Sequence, residues 1–405
     1  MHNIAEQVTG FVFPNEANVH WTIMIVLYPY ITGLVAGAFI VSSLYHLFGR
    51  HELKPVARFA LTASLVFLIF APLPLLTHLG IPQRAFNIMI TPNSSSAMAG
   101  FGFVYLTYFI IVAIEVWFSL REDIVARALS VKGLKGFGYR ALAFFDTTVN
   151  PRTQKLGHKV VGFFAAVGIP AACFLHGYVG FLFGAIKANP WWSTPLMFII
   201  FLLSAIVSGI SVLIFLFFLI SWLRRVEVDR PCVQTMGNYL WGFMIVDVTL
   251  EILQILSLSY AKQREWEALN ELIHDKLFIS HVVIQLAICS LVPFLFLGAN
   301  AIFKLGAKLS NALIFSSAIL LLIQVLAMRW NVVIGGQLMS RSFRGFTSYT
   351  PGLWEREGLI VAAIIFTVPF LLLRLADRIV PLFPPDSAIG AWGLRNKQPP
   401  AATKL

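Results

Sequence analysis

Residues 311–328 read NALIFSSAILLLIQVLAM, and residues 329–337 continue as RWNVVIGGQ. The first run is apolar over nearly the length a helix needs to cross a bilayer, about 20 residues at 1.5 Å each. The second sets down an arginine, an asparagine and a pair of glycines. By the same criterion, an uninterrupted apolar stretch of about 18 residues or more, eight other segments qualify. The nine are 19–47, 57–79, 99–120, 159–184, 195–223, 238–260, 278–298, 310–334 and 358–375. With room for one more in the weakly apolar loops, nine to ten membrane helices are expected. Composition agrees. The 405 residues are 58% hydrophobic and 12% charged, with a mean hydropathy of +0.80, whereas soluble domains run at about a quarter charged. The expected fold class is therefore all-α, a polytopic integral membrane protein.

The net charge of +11 resembles that of a nucleic-acid-binding protein until its distribution is followed. If the N-terminus lies outside and the loops alternate, 21 of the 30 Lys and Arg residues fall inside. They cluster at Arg50–Arg58, between Arg121 and Lys159, at Arg224–Arg230, at Lys304 and Lys308, and from Arg374 onward. Excess Lys and Arg marks the cytoplasmic side, so the charge is a topology signal and no nucleic-acid partner is expected. It places the N-terminus outside and, with nine helices, the C-terminus in the cytoplasm of a bacterial or archaeal cell, the lipid bilayer being its inner (cytoplasmic) membrane. The first 18 residues lack the basic start and small-residue cleavage site of a signal peptide, so insertion through the first helix is expected.

Organisation follows the spacing of the segments. An outside N-terminal segment, 1–18, precedes a first four-helix set, 19–184. A second set, 195–334, is followed by an outside loop and closing helix, 335–383, and by a cytoplasmic tail, 384–405, that reads as disordered. The loop 121–158 contains a basic amphipathic stretch suited to the membrane surface. Gly33 and Gly37 form a GxxxG, a helix-packing signal. Cys173, Cys232 and Cys289 are far apart with no CxxC, so no metal, iron–sulfur cluster or covalent haem site is encoded.

Ionisable groups inside membrane helices are costly, and by default they mark function. Near the outer face lie His20, His78, Arg84 and Arg329; Tyr28 and His176 sit deeper in the outer half. Glu115 is in the inner third of the third segment, Asp247 and Glu251 near the middle of the sixth, and His281 opens the seventh. A quinone needs a hydrogen-bond donor at each carbonyl and groups that exchange protons near neutral pH, which histidine does well. Tyr28, His20, His78, His176 and Arg84 are accordingly the candidate quinone-binding residues. His176, His78 and Glu115 are the candidates for proton chemistry, and Glu115, Asp247 and Glu251 for a proton pathway. The bland reading runs beside this one: His20 and His78 solvated at the interface, the tyrosines an interfacial belt, and the acids partners of arginines. Two other functions use the same residues. A b-haem anchor would need facing histidines, and only His78 with His176 offer a pair. A small-anion or proton-coupled transporter would line a path with His176, Arg329 and the carboxylates, and should carry an inverted repeat, which is not evident.

Four stretches resemble the NrfD family of quinone-interacting membrane subunits related to the polysulfide reductase anchor. They are HWTIMIVLYPYITGLVAGAF (20–39), THLGIPQRAFNIMITPNSSSAM (77–98), GIPAACFLHGYVGFLFGAIKANPWW (168–192) and MRWNVVIGGQ (328–337). RWNVVIGGQ and the SRSFRGFTSYTP that follows are similar to the long-chain branch and, within it, the DsrP group of DsrMKJOP complexes associated with sulfur metabolism. The resemblance implies two four-helix bundles plus an additional helix, with no haem, cluster or metal held by this chain. It implies menaquinone or ubiquinone bound near the outer face of the first bundle. It also implies a periplasmic ferredoxin-like iron–sulfur partner, with cytochrome and further membrane or cytoplasmic subunits of a DsrMKJOP-like complex. The short-chain anchor uses an Asn/His pair on its first helix and a Tyr before a proline of the fourth. Here Ile25 and Tyr28 stand at the first place and Ile169 precedes Pro170, so His176 and His78 are proposed from position alone. Arg329, Asn331, Gly335 and Gly336 are expected to be structural. The arginine would reach water or a carboxylate at the outer helix end, the glycines would turn the chain tightly into the loop, and the group would help seat the partner subunit.

Overall fold

The structure is a computed structural model, and it describes residues 8–261 and 265–395. Among these, nine helices are long and apolar enough to cross a membrane, the lower of the expected numbers. They are α1 (Ile23–His46), α2 (His51–His78), α3 (Ala97–Ser130), α4 (Pro151–Gly184), α5 (Met197–Arg224), α6 (Arg230–Tyr260), α7 (Phe278–Ile302), α8 (Ala307–Leu338) and α9 (Leu359–Ile379). Several outrun the apolar stretches that announced them. α3 and α4 continue through charged residues at one common end of the molecule, because hydropathy sees only the part meant for lipid. The start of α4 is set by Asn150, whose side chain accepts from the Arg152 and Thr153 amides at 3.0 and 2.9 Å, with Pro151 in the first turn.

The helices close into two rings. α1, α2, α3 and α4 pack in sequence, α4 returning to α1; α5, α6, α7 and α8 do the same, α8 returning to α5. α1 against α5 is the seam between the rings, and α9 lies on α1 and α2. α1 is the central post: 19 of its 24 residues are buried, as expected of a helix that is apolar all round. The seam can close because a Cβ on Gly37 would stand 2.6 Å from the Gly209 Cα, and one on Gly209 would stand 2.4 Å from the Gly37 Cα. Thus the second glycine of the GxxxG packs backbone to backbone against another helix, in keeping with the packing role expected of it.

The face of the molecule carrying the N-terminus, hereafter the N-terminal face, is tied by a two-stranded sheet. β1 (Thr9–Phe11) pairs antiparallel with β2 (Arg344–Phe346), Gly10 opposite Gly345. Beside it Glu16 accepts from the Ser340 hydroxyl at 2.6 Å and the Arg341 amide at 2.9 Å, and its other oxygen meets the Arg341 guanidinium. At the opposite face the expected disordered tail needs a correction. Ala388–Arg395 is helical, with Ile389 buried; residues 396–405 lie outside the described part. Residues Gly133–Leu142, within the amphipathic stretch, also form a short helix.

The seam and the sheet can each be probed. Gly209→Leu should destabilise the protein in detergent by about 1–3 kcal/mol through overpacking, read as a lowered thermal midpoint, whereas Gly242→Leu, which has open space around it, should not. Burial alone would raise the Glu16 carboxyl, but the bonds from Ser340 and Arg341 hold it below the ordinary carboxylate value. Its contribution is therefore present above the ordinary value of about 4.3 and is lost as pH falls through the lower folded value. Protection of the β1–β2 amides, taken relative to the intrinsic exchange rate at each pH, should fall in acid, and Glu16→Gln should remove that dependence.

Candidate functional site

The candidate site begins where RWNVVIGGQ departs from expectation. The helix does not end at Arg329; it runs on to Leu338, leaving the arginine roughly 13 Å from the helix end. Between Asn331 and Gly335 it widens to i→i+5 turns, a local form frequent at functional sites. Widening strands carbonyls, and buried carbonyls need donors. The connection before α5 supplies them: Trp191 Nε1 donates to the Asn331 carbonyl at 2.9 Å and Trp192 Nε1 to the Val332 carbonyl at 2.6 Å. Asn189 donates to Gly336 O at 2.7 Å. A Cβ on Gly336 would lie 2.2 Å from Trp192 Nε1, and one on Gly335 would lie 2.8 Å from Leu277. Both glycines have helical φ and are buried, so they admit neighbouring side chains rather than turn the chain. This corrects the tight-turn expectation.

Arg329 also departs from it. The side chain has 0% exposure, so it neither reaches water nor touches a partner subunit, and Asn331 is buried with it. The guanidinium donates to Ser204 Oγ at 2.8 Å and to Phe201 O at 3.2 Å, both on α5, and lies over the Phe201 ring, 3.8 Å from its centroid, a cation–π contact. Its Nε finds no acceptor among the described residues. Asp247 and Glu251 of α6 act on it electrostatically, and it acts on His176 of α4.

Around Asp247 and Glu251 the second ring builds a polar network. α7 too is wound in i→i+5 turns, over Phe278–Leu291, which shifts the faces its side chains present. Gln285 is its hub: Nε2 donates to Glu251 at 2.9 Å, while Oε1 accepts from Asn331 Nδ2 at 2.7 Å and meets His281 Nδ1 at 3.0 Å. Ser280 Oγ donates to Asn331 Oδ1 at 2.6 Å, and Gln324 Nε2 donates to Glu251 at 3.3 Å. A cavity of about 40 Å³ lies among Trp191, Glu251, Gln254, His281, Gln285 and Asn331, room for a few waters at roughly 10–15 Å³ each. Asp247 Oδ1 and His281 Nε2 are buried without a partner among the described residues. Scanning the sequence for charges finds Asp247 and Glu251 but passes over the neutral Gln285, Gln324 and Asn331; the His281–Gln285 spacing of four was the available signal.

The first ring holds the other candidates. His176 is 2% exposed, bonded to the Thr32 backbone of α1, with Nε2 unpaired among the described residues. Thr32 Oγ1 in turn donates to the Tyr28 carbonyl at 2.8 Å, so His176 and Tyr28 flank one turn of α1. The buried Tyr28 hydroxyl has no partner among the described residues; its ring stands edge-on to Phe101 at 5.8 Å, and Tyr105 is within electrostatic reach. Further along α3, Tyr108 senses Glu115, whose side chain is 0% exposed with neither oxygen bonded among the described residues. Tyr28, Tyr105, Tyr108 and Glu115 thus form a column of polar groups descending the first ring.

The remaining candidates stay at the N-terminal face. His20 is exposed and its Nε2 meets Asn15 O at 3.1 Å. Arg84 is exposed. His78 Nδ1 lies 2.7 Å from Glu357 Oε2, which also accepts from the α1 cap Thr22 at 2.5 Å, so His78 ties α1, α2 and the approach to α9 together. These three are not gathered around His176. Among the described residues no three His, Cys, Asp or Glu side chains converge to hold a metal.

A polytopic membrane protein with two fused four-helix rings, each enclosing buried polar groups, is the class these features define. The chain belongs to the NrfD family: residues 12–340 match the family described as polysulphide reductase, NrfD, as the sequence resemblance implied. It is similar to a selenate reductase subunit of Mesobacillus selenatarsenatis, 27% identical over 381 residues, 90% of this chain and 86% of that protein. It is similar to a putative dimethyl sulfoxide reductase membrane subunit of Halobacterium salinarum, 28% identical over 56% of this chain and 50% of that protein. An Hdr-like menaquinol oxidoreductase integral membrane subunit of Archaeoglobus fulgidus is 23% identical over 56% of this chain and 49% of its own length.

The network makes a stability prediction. Asn331→Leu removes one of the two donors to Gln285 Oε1, which keeps His281, and leaves Ser280 Oγ only the Leu277 carbonyl at 3.4 Å, a loss of about 0.5–1.5 kcal/mol for each hydrogen bond removed. Thermal unfolding in detergent should show the loss, with Ser280→Ala losing less.

Proposed function

We propose that this protein is the quinone-reactive membrane subunit of a respiratory-type oxidoreductase complex. It passes electrons between the membrane quinone pool and an iron–sulfur subunit seated on the N-terminal face. Family membership supports this, as does a relative whose name includes menaquinol oxidoreductase. The observation that carries the reading is the first-ring pair of buried groups left unpaired among the described residues, His176 Nε2 and Tyr28 OH, which are linked through Thr32 of α1.

A quinol oxidised to quinone releases an electron pair and a proton pair, so its site needs a base at the ring oxygen and a relay for the protons. Imidazole suits the role of base. His176 Nε2 exchanges a proton with one quinone oxygen while the other ring nitrogen is held on Thr32. The Tyr28 hydroxyl hydrogen-bonds the second oxygen. Tyr105, Tyr108 and Glu115 carry protons along α3 toward the opposite face. His78, His20 and Arg84, fixed at the N-terminal face, form the rim over which a partner sits. Asp247 and Glu251 complete a proton pathway in the second ring.

The positive-inside rule puts the N-terminal face outside, on the periplasmic side of an inner membrane, and the Lys- and Arg-rich face in the cytoplasm. The DsrP-like assignment, with a cytochrome-containing complex and a sulfur substrate, rests on RWNVVIGGQ and SRSFRGFTSYTP. Selenate reductase and dimethyl sulfoxide reductase are the systems named for two of the relatives.

His176→Ala should lower menadiol-driven electron transfer by the intact complex by about 100-fold, a typical acid–base contribution, with subunit assembly unchanged on native gels. Unchanged turnover removes His176 from the mechanism. A wild-type complex that neither binds nor turns over a quinol analogue overturns the quinone reading.

A further inference from the structure

The guanidinium of Arg329 is anchored on α5 through Ser204 and Phe201 and lies within electrostatic reach of His176 of the first ring and of Asp247 and Glu251 of the second. Among the described residues its direct hydrogen bonds go only to neutral acceptors, so no ion pair there consumes the charge. An arginine buried this completely is costly unless carboxylates offset it, and the carboxylates in reach are a pair four residues apart on one helix face. Glu251 is fixed by Gln285 and Gln324, whereas Asp247 Oδ1 is left open among the described residues.

The pair also has access to the surface. At the N-terminal face a vestibule of about 630 Å³ opens among Ser193, Thr194, Gln254, Ser257, Glu265 and Arg341. Gln254 lines both this vestibule and the 40 Å³ cavity at Glu251. His281, whose Nε2 is unpaired among the described residues, lines the cavity together with Glu251, so waters inside find polar partners.

We propose that Asp247 and Glu251 form a proton-loading site, filled by water-borne protons from the N-terminal face past Gln254. With the pair sharing one proton, the remaining negative charge balances Arg329. The titratable and charged groups that bear on it are His281, Arg329 and, through Arg329, His176. The loading site deepens the second-ring proton pathway proposed above and does not depend on the quinone reading.

The test separates the two. In the full chain in nanodiscs, a pH-step infrared difference spectrum should show a protonated-carboxyl C=O band that is lost or shifted in Asp247→Asn and in Glu251→Gln. Gln254→Leu should keep the band but slow its hydrogen–deuterium exchange several-fold. A band untouched by both acid variants, or exchange unchanged in Gln254→Leu, overturns the loading site and its entrance. Because no quinol is added, a failed turnover assay in the wild-type complex bears on the quinone reading and leaves these results standing.

Discussion

A guanidinium keeps its charge under all ordinary conditions, and at position 329 no part of it reaches solvent. In a membrane protein such a charge has to be answered from inside, and much of the second ring is arranged to do so. α5 presents Ser204 and the Phe201 carbonyl and ring; α6 brings Asp247 and Glu251 within electrostatic reach. Glu251 then needs donors, which Gln285 of α7 and Gln324 of α8 provide. Each answer creates the next requirement, and the chain closes at Asn331, only two residues from the arginine.

The backbone obeys the same accounting. i→i+5 turns in α7 and α8 release carbonyls that neither lipid nor water can satisfy there, and the indoles of Trp191 and Trp192 fill that need. The indoles reach them only because position 336 lacks a side chain. Gln337 adds a lock to the first ring, its Oε1 accepting from Trp21 N at 2.9 Å while Nε2 donates to Trp21 O at 3.1 Å. RWNVVIGGQ is therefore the joint at which the two rings, the connection before α5 and the start of α1 are fastened together.

The two rings handle polar groups differently. In the first, Tyr28, Tyr108, Glu115 and His176 each leave a buried polar atom unanswered among the described residues, as expected where a substrate or water supplies the missing bond. In the second, amides satisfy most of the network and leave selected atoms open. The first arrangement suits a site that exchanges ligands, the second a site that holds charge in place.

Hydropathy determined the nine spans, because partition into lipid depends on composition along about 20 residues. Lys and Arg counts gave the proposed orientation, and the quoted motifs gave the family. Residue types alone also marked His176, Glu115, Asp247 and Glu251 as interior polar groups. What the sequence could not decide was depth and company. Arg329 looked like a helix end because RWNVVIGGQ is polar, yet a wide turn continues the helix and buries it. His20, His78, Arg84 and His176 were all candidates for the quinone site, with His176 placed deeper than the others, and of these four the fold buries His176 alone. Gln285 and Asn331 carried no charge to flag them. Such facts depend on which helix faces meet, and that is settled by packing between segments more than a hundred residues apart, as in Trp191 and Asn331.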